Sequence, residues 1–218
     1  MDTIDEDFLN KMILEFKHEI PDLSYNAILR TLPYSEIITV KKKNYIIKEG
    51  LLDRRIIFIL KGIFRAFHVR EEKEYTVWLR KEMDVLASYT SIILHQPSNL
   101  TFQALEDSTV LAINYDLLKT KIDEDVDIAK NMLVIFERIV LDLVESLEGQ
   151  LILSSEERFV RMLEKKPEII SRVPQHQLAS VLGMEPESLS RLKNRIVKKR
   201  FSDKQNKSKK INLKLSQW

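Results

Sequence analysis

Near residue 115 the apolar pattern of the chain changes from a repeat of about two to a repeat of about three and a half. Before that point, short β-rich runs follow one another: Ile37–Val40, Tyr45–Lys48, Ile56–Leu60, Ile63–Val69, Glu74–Leu79, Thr101–Ala104 and Thr109–Asn114. Tyr75, Val77 and Leu79 alternate onto one side of the fifth run. Closely spaced strands of this kind suggest a barrel or sandwich of antiparallel pairs. Gly50 and Gly62, two of only four glycines, sit between runs where turns require positive φ. An amphipathic helix over Asp5–His18, with Phe8, Met12 and Phe16 at helical spacing, precedes the strands.

Beyond Tyr115–Ile122, Asp123–Leu153 reads as one long helix with Asp123 as its N-cap. At 1.5 Å per residue it spans roughly 45 Å. Ile128, Met132, Ile135, Ile139, Leu143 and Leu147 form a near-heptad seam, and Phe136, Val140 and Val144 add a second apolar edge. One edge can cover the β-domain while the other meets an identical helix, so the seam is the expected dimer contact. Packing wholly within one chain is the alternative.

The net charge of +2 conceals a separation. Residues 152–218 hold 16 of the 35 Lys/Arg and 7 of the 33 Asp/Glu, a balance of +9 that leaves 19 against 26, or −7, for the rest. A basic end on an acidic body fits a nucleic-acid module attached to another domain. The chain has no cysteine, which removes disulfides, thiolate metal sites and cysteine nucleophiles. His18, His68, His95 and His176 lie in four separate segments without paired spacing, so no metal site or cofactor is expected. No run of about 18 apolar residues occurs, and the acidic start is unlike a secretory signal. A cytoplasmic protein without a membrane partner is the expectation.

Within the basic end, Glu156–Lys165 reads as a helix and Ile169–Val173 as a short extended run after Pro167. The segment 175–195, QHQLASVLGMEPESLSRLKNR, then has the pattern of a helix-turn-helix. Leu178, Ala179 and Leu182 face inward, Gly183 allows the sharp turn, and Pro186 suits the first turn of the second helix. Ala179 is small where the helices cross, and Leu189, Leu192 and Ile196 form the second helix's inner stripe. Glu187 lies near that helix's positive N-terminal end, and its outer face carries Ser188, Ser190, Arg191, Asn194 and Arg195, side chains able to read base edges in a major groove. Gln175, His176 and Lys198 join this candidate interface with double-stranded DNA. Ile211–Leu215 reads as a strand closing a basic wing, on which Lys209 and Lys210 would rest against phosphates.

A β-rich domain, a long helix and a winged helix-turn-helix, in that order, resemble the Crp/Fnr family of transcriptional regulators over nearly the whole chain. The most specific part is VPQHQLASVLGMEPESLSRLKNR, which is especially similar to Bacteroidetes members. The turn at Lys48–Gly50 and the glycine in Leu60–Gly62 match more loosely. The resemblance implies an α+β chain with an antiparallel β-roll of the cyclic-nucleotide-binding type over 1–122, a dimerisation helix over 123–153, and a DNA-binding domain over 154–218. It implies a homodimeric activator or repressor rather than an enzyme, with RNA polymerase and a small-molecule effector as further candidate partners. It also assigns base reading to Glu187 and Arg191. Pro186 stands where many members have arginine, so the operator is expected to differ.

Cyclic-nucleotide binders of the family carry Gly-Glu-Leu and then Arg-Ser/Thr around the ribose and phosphate. Here Asp84-Val85-Leu86 and Leu100-Thr101 take those places, and no Lys or Arg lies between Lys81 and Lys119. A buried phosphate without a cation is poorly compensated, so cyclic AMP in the usual manner is not expected. Leu86, Tyr89, Ile92, Leu100 and Thr101 either line a pocket for a less charged effector or form closed core. The competing reading is a small-molecule-binding, cupin-like β-domain with an incidental basic C-terminal domain.

Overall fold

The computed structural model describes residues 6–196. The chain divides into two compact units between Ile152 and Leu153. The first opens with helices α1 (Glu6–Glu19) and α2 (Tyr25–Thr31) and a 3-10 turn at Leu32–Tyr34. Ser24 caps α2, its side chain accepting from the Ala27 N–H.

Eight strands follow: β1 (Ser35–Val40), β2 (Tyr45–Ile47), β3 (Arg55–Lys61), β4 (Phe64–Arg70), β5 (Lys73–Arg80), β6 (Val85–Leu86), β7 (Thr101–Ala104) and β8 (Ser108–Asn114). They form two antiparallel sheets, ordered β1-β8-β3-β6 and β2-β7-β4-β5. The seven expected strands are present. β6 and the short helix α3 (Tyr89–Leu94) are additional, both in a stretch without alternation. Ile47, Ile57, Ile59, Phe64, Leu86 and Phe102 fill the space between the sheets and are all but inaccessible. Each such side chain contributes about 1.5–3 kcal/mol by leaving water.

Two glycine turns take the positive φ expected of them, +82° at Gly50 and +110° at Gly62. At Gly62 space matters as well: a Cβ there would lie 2.0 Å from the Ser108 Oγ. The alternation expected in β5 is corrected. Ala66 pairs with Trp78 but Phe67 with Thr76, so Val77 is an extra bulged residue. As a result Thr76 is buried and Tyr75 exposed.

The outer face of the first sheet is covered by α1, α2, α4 (Tyr115–Glu124) and α5 (Val126–Ile152). Phe16 of α1 meets Phe58 of β3 edge to face at 5.9 Å. The long helix begins later than expected, and Asp125 rather than Asp123 caps it. One Asp125 carboxylate oxygen accepts from the N–H groups of Asp127 and Ile128 at 3.0 and 3.2 Å. The 27 residues of α5 span about 40 Å. Polar ties to α1, α2 and β5 hold it to its own unit, Arg138 donating to the Glu19 carbonyl at 3.4 Å among them. Asn131 accepts from the Ser24 N–H at 2.7 Å and donates to the Ser24 carbonyl at 2.9 Å. Arg30 donates to Asp125, and Arg80 of β5 reaches Asp142 at 2.5 Å.

The second unit contains α6 (Ser155–Lys165), α7 (Pro167–Arg172) and α8 (Gln175–Leu182), followed by a helix, α9, over residues 186–196. Ser154 and Glu157 form a reciprocal capping box at the start of α6. The extended run expected at Ile169–Val173 is corrected to helix: Pro167 opens α7 and Ile169 is buried. The expected wing strand Ile211–Leu215, with Lys198, Lys209 and Lys210, lies outside the described residues. Among the described residues no helix is long and apolar enough to cross a membrane, and no group of three or more His, Asp or Glu could hold a metal ion.

Candidate nucleic-acid interface and effector site

α8 and α9 are joined by the three residues 183–185. Gly183 adopts φ 64° and ψ 39°, the left-handed conformation that ends α8, while the Met184 N–H returns to the Ala179 carbonyl at 2.9 Å. Arg158 of α6 donates to the Leu182 carbonyl at 2.8 Å, placing a cation at the negative end of α8. Leu178, Ala179, Leu182, Leu189 and Leu192 are buried together with Phe159, Ile169 and Val173. Ala179 is wholly inaccessible, as the close crossing requires.

With the inner stripe fixed, Glu187, Arg191, Asn194 and Arg195 are exposed, and Ser188 and Ser190 are half-buried at the edges of the same face. Arg191 donates to the Ser188 hydroxyl at 3.0 Å across one turn. Arg195 is paired with Glu156 of α6. Gln175 donates to the Pro186 carbonyl at 2.9 Å, tying the start of α8 to the first turn of α9, and His176 stands exposed beside it. Thus eight of the expected interface residues lie on two consecutive helices of one unit. Of those eight, Gln175, His176, Ser188, Arg191 and Arg195 also have side-chain hydrogen-bond partners within the unit. The Glu156 contact to Arg195 was not legible from sequence spacing, since α6 and α9 are far apart in the chain.

The expected effector-pocket residues do not come together. Leu86 and Leu100 belong to the packed interior between the sheets. Thr101 lies on β7, its hydroxyl accepting from the Glu49 N–H at 3.1 Å. Tyr89 and Ile92 instead border a cavity of about 110 Å³ between α3 and α5, with Phe136 and Ile139 on its far side. Burial raises the Tyr89 phenol above its ordinary value. Nearby Arg80 opposes that shift and Asp142 adds to it. Arg54 is committed elsewhere, donating to the carbonyls of Ser91 and Ile92 at 2.7 and 3.0 Å and to Asp116 at 2.9 Å. Arg54 holds the Asp116 carboxyl below the usual carboxylate value through that hydrogen bond.

The expected dimer seam is also corrected. Ile128, Met132 and Ile135 are buried in the core beneath α5, against residues such as Ile113 and Leu118. Ile139 and Leu143 are half-buried, and only Leu147 of that seam is open. The uncovered apolar stripe is its neighbour, Leu133, Val140, Val144, Leu147 and Leu151 at spacings of three, four and seven. It turns away from the buried seam by roughly a quarter of a helical turn or more.

Residues 37–125 match the model of the cyclic nucleotide-binding domain. No curated protein matches the sequence. Among solved structures, the chain is similar to FixK2 from Bradyrhizobium japonicum, at 15% identity and TM-score 0.63, over 76% of this chain and 85% of that one. It is also similar to the c-di-GMP-responsive global regulator CLP from Xanthomonas campestris, at 16% identity and TM-score 0.64, over 81% and 93%. The sensor domain of the transcriptional regulator DNR from Pseudomonas aeruginosa matches at 16% identity and TM-score 0.50, over 67% and 96%. Residues 37–125 thus match the cyclic nucleotide-binding domain, and the chain built around them is similar in fold to Crp/Fnr-type regulators such as FixK2 and CLP.

Proposed function

We propose that the chain is a homodimeric, sequence-specific DNA-binding transcriptional regulator whose α9 enters the major groove. One observation carries the reading: a buried apolar stripe fixes the roll of α9, so that Glu187, Arg191 and Asn194 project outward together. These are a carboxylate acceptor, a bidentate donor and an amide able to do both. Sequence charge adds to it, because residues 191–214 carry 11 Lys/Arg and one acid, Asp203. The Lys and Arg around α9 would grip phosphates and make binding salt-dependent. The stripe Leu133–Leu151 of α5 would pair with its copy, bringing two reading units to a two-fold symmetric site.

The test is selection of bound duplexes from a random library, followed by titration of Arg191→Ala on the selected site. The substitution is expected to cost about 1–3 kcal/mol on that site and little on unrelated DNA. Equal losses on all duplexes would remove Arg191 from base reading. Failure to bind any duplex at low salt would leave the small-molecule-binding reading in its place.

The space between the sheets is, on this reading, closed to cyclic nucleotides. Packed apolar side chains occupy it, and Arg54 is held by Asp116 and two α3 carbonyls. Titration calorimetry with cyclic AMP is expected to give no saturable heat, and a saturable one-site heat would overturn this part of the reading.

A further inference from the structure

A second cavity, of about 70 Å³, lies on the same helix-covered face of the first sheet, lined by α1, α2, β3, β8, α4 and α5. Its wall includes Met12, Phe16, Ile28, Leu111, Ile128 and Met132. Two polar side chains border it, and both are already engaged. The Asn131 amide is held by the two backbone groups of Ser24, and the Thr31 hydroxyl donates to the Ile28 carbonyl at 2.7 Å. A water molecule there would find few of the two to four partners it needs, and a charged group would find no counter-ion. An apolar molecule would instead restore the dispersion contacts that the lining atoms lack.

We propose that this cavity is a binding site for a small uncharged apolar ligand, a hydrocarbon or short alkyl group, distinct from the space between the sheets. Its floor is α5 itself, at Ile128, Met132 and Ile135. An occupant would press on the long helix between two of its polar ties, Arg30–Asp125 and Arg80–Asp142. Those contacts fall on the side of α5 away from the open stripe, so occupancy is placed to shift the helix without blocking its outer face.

The test uses the full chain with n-pentane and benzene as probes and sodium hexanoate as a charged control, read by methyl NMR. Pentane or benzene is expected to shift the methyl signals of Met12, Ile28, Ile128 and Met132, leaving those of Ile57 and Ile59 in place. Hexanoate at equal concentration is expected to shift neither set of signals. Ile28→Phe, which fills the cavity from α2, is expected to abolish the shifts and the accompanying rise of a degree or more in Tm. Absence of shifts at the lining methyls would overturn the proposal. So would equal shifts between the sheets, or shifts that persist undiminished in Ile28→Phe. Should that variant not fold, the wild-type methyl map decides alone. The measurement is made on protein without DNA, so its outcome is separate from that of the regulator reading.

Discussion

The two apolar edges of α5 make opposite predictions for similar substitutions. Leu147 is 58% exposed, whereas Ile128 is 2% exposed. Full burial of a leucine side chain is worth about 1.5–3 kcal/mol, so Leu147 retains roughly half of that to gain on pairing. Two-fold symmetry counts each substitution twice, so Leu147→Asp would remove about 2–3 kcal/mol of apolar burial from the proposed dimer. Two carboxylates at the interface add a desolvation cost on top. Each 1.4 kcal/mol is a factor of about ten, so the dimer dissociation constant is expected to rise by at least roughly 30- to 100-fold. Stability of the isolated subunit should change little. Ile128→Ala is expected to do the reverse, costing about 2–5 kcal/mol of unfolding free energy and leaving the dissociation constant of the folded protein nearly unchanged. Sedimentation equilibrium and urea unfolding separate the two effects. An intact Leu147→Asp dimer, or dissociation by Ile128→Ala without loss of stability, would refute the assignment of faces.

Gly62→Ala should be costly on two counts. The φ of +110° disfavours a side chain by about 1–3 kcal/mol, and a Cβ 2.0 Å from the Ser108 Oγ forces local displacement worth a similar amount. At roughly 2–4 °C per kcal/mol, Tm is expected to fall by about 5–20 °C, and an unchanged melt would contradict the turn geometry. Asp116 and Asp125 are held below the usual carboxylate value, first by hydrogen bonds from Arg54 and Arg30 respectively. A carboxylate lowered in the folded state contributes stability that is present above its unfolded-state value of about 4 and is lost as pH falls through the folded-state value. Asp125→Asn is therefore expected to lower stability at neutral pH and flatten its decline below about pH 4, and an acid limb identical to wild type would exclude the pair.

The strands of the roll are legible because their apolar residues recur at strand spacing between turn residues, and Gly50 and Gly62 mark two of those turns. Val77 breaks the pattern because a bulge depends on the pairing partner, Phe67 against Thr76, and not on β5 alone. α3 is too short for a helical repeat to emerge, and β-branched Thr90, Ile92 and Ile93 fall within it. The same chemistry makes Ile169 and Ile170 look extended, although Pro167 at the helix start and the packing of Ile169 favour a turn of helix. Along α5 the periodicity reveals that two edges are apolar, but not which one its own sheet covers. That choice is made by contacts outside the helix, with Ile113, with Leu118 and, from far away in sequence, through the Ser24–Asn131 hydrogen bonds. The inner stripe and turn of α8 and α9 are the most legible part of the site, since they rest on local spacing. The separate destinations of Leu86 and Tyr89 depend on tertiary packing that spacing does not encode.

The strand order bears on synthesis as well as on architecture. β1 finds its partner only in β8, from Ser35 with Ile113 to Val40 with Ser108, and β2 finds its partner in β7. A nascent chain therefore carries β2 unpaired for about 55 further residues and β1 for about 70. Closure of so long a loop must precede the reward of pairing, so the roll is expected to form more slowly than locally paired structure. During that interval Ile38, Ile46 and Ile47 are open to strand addition by a neighbouring polypeptide, a hazard for which the run Lys41–Lys43 between the two strands supplies repelling charge.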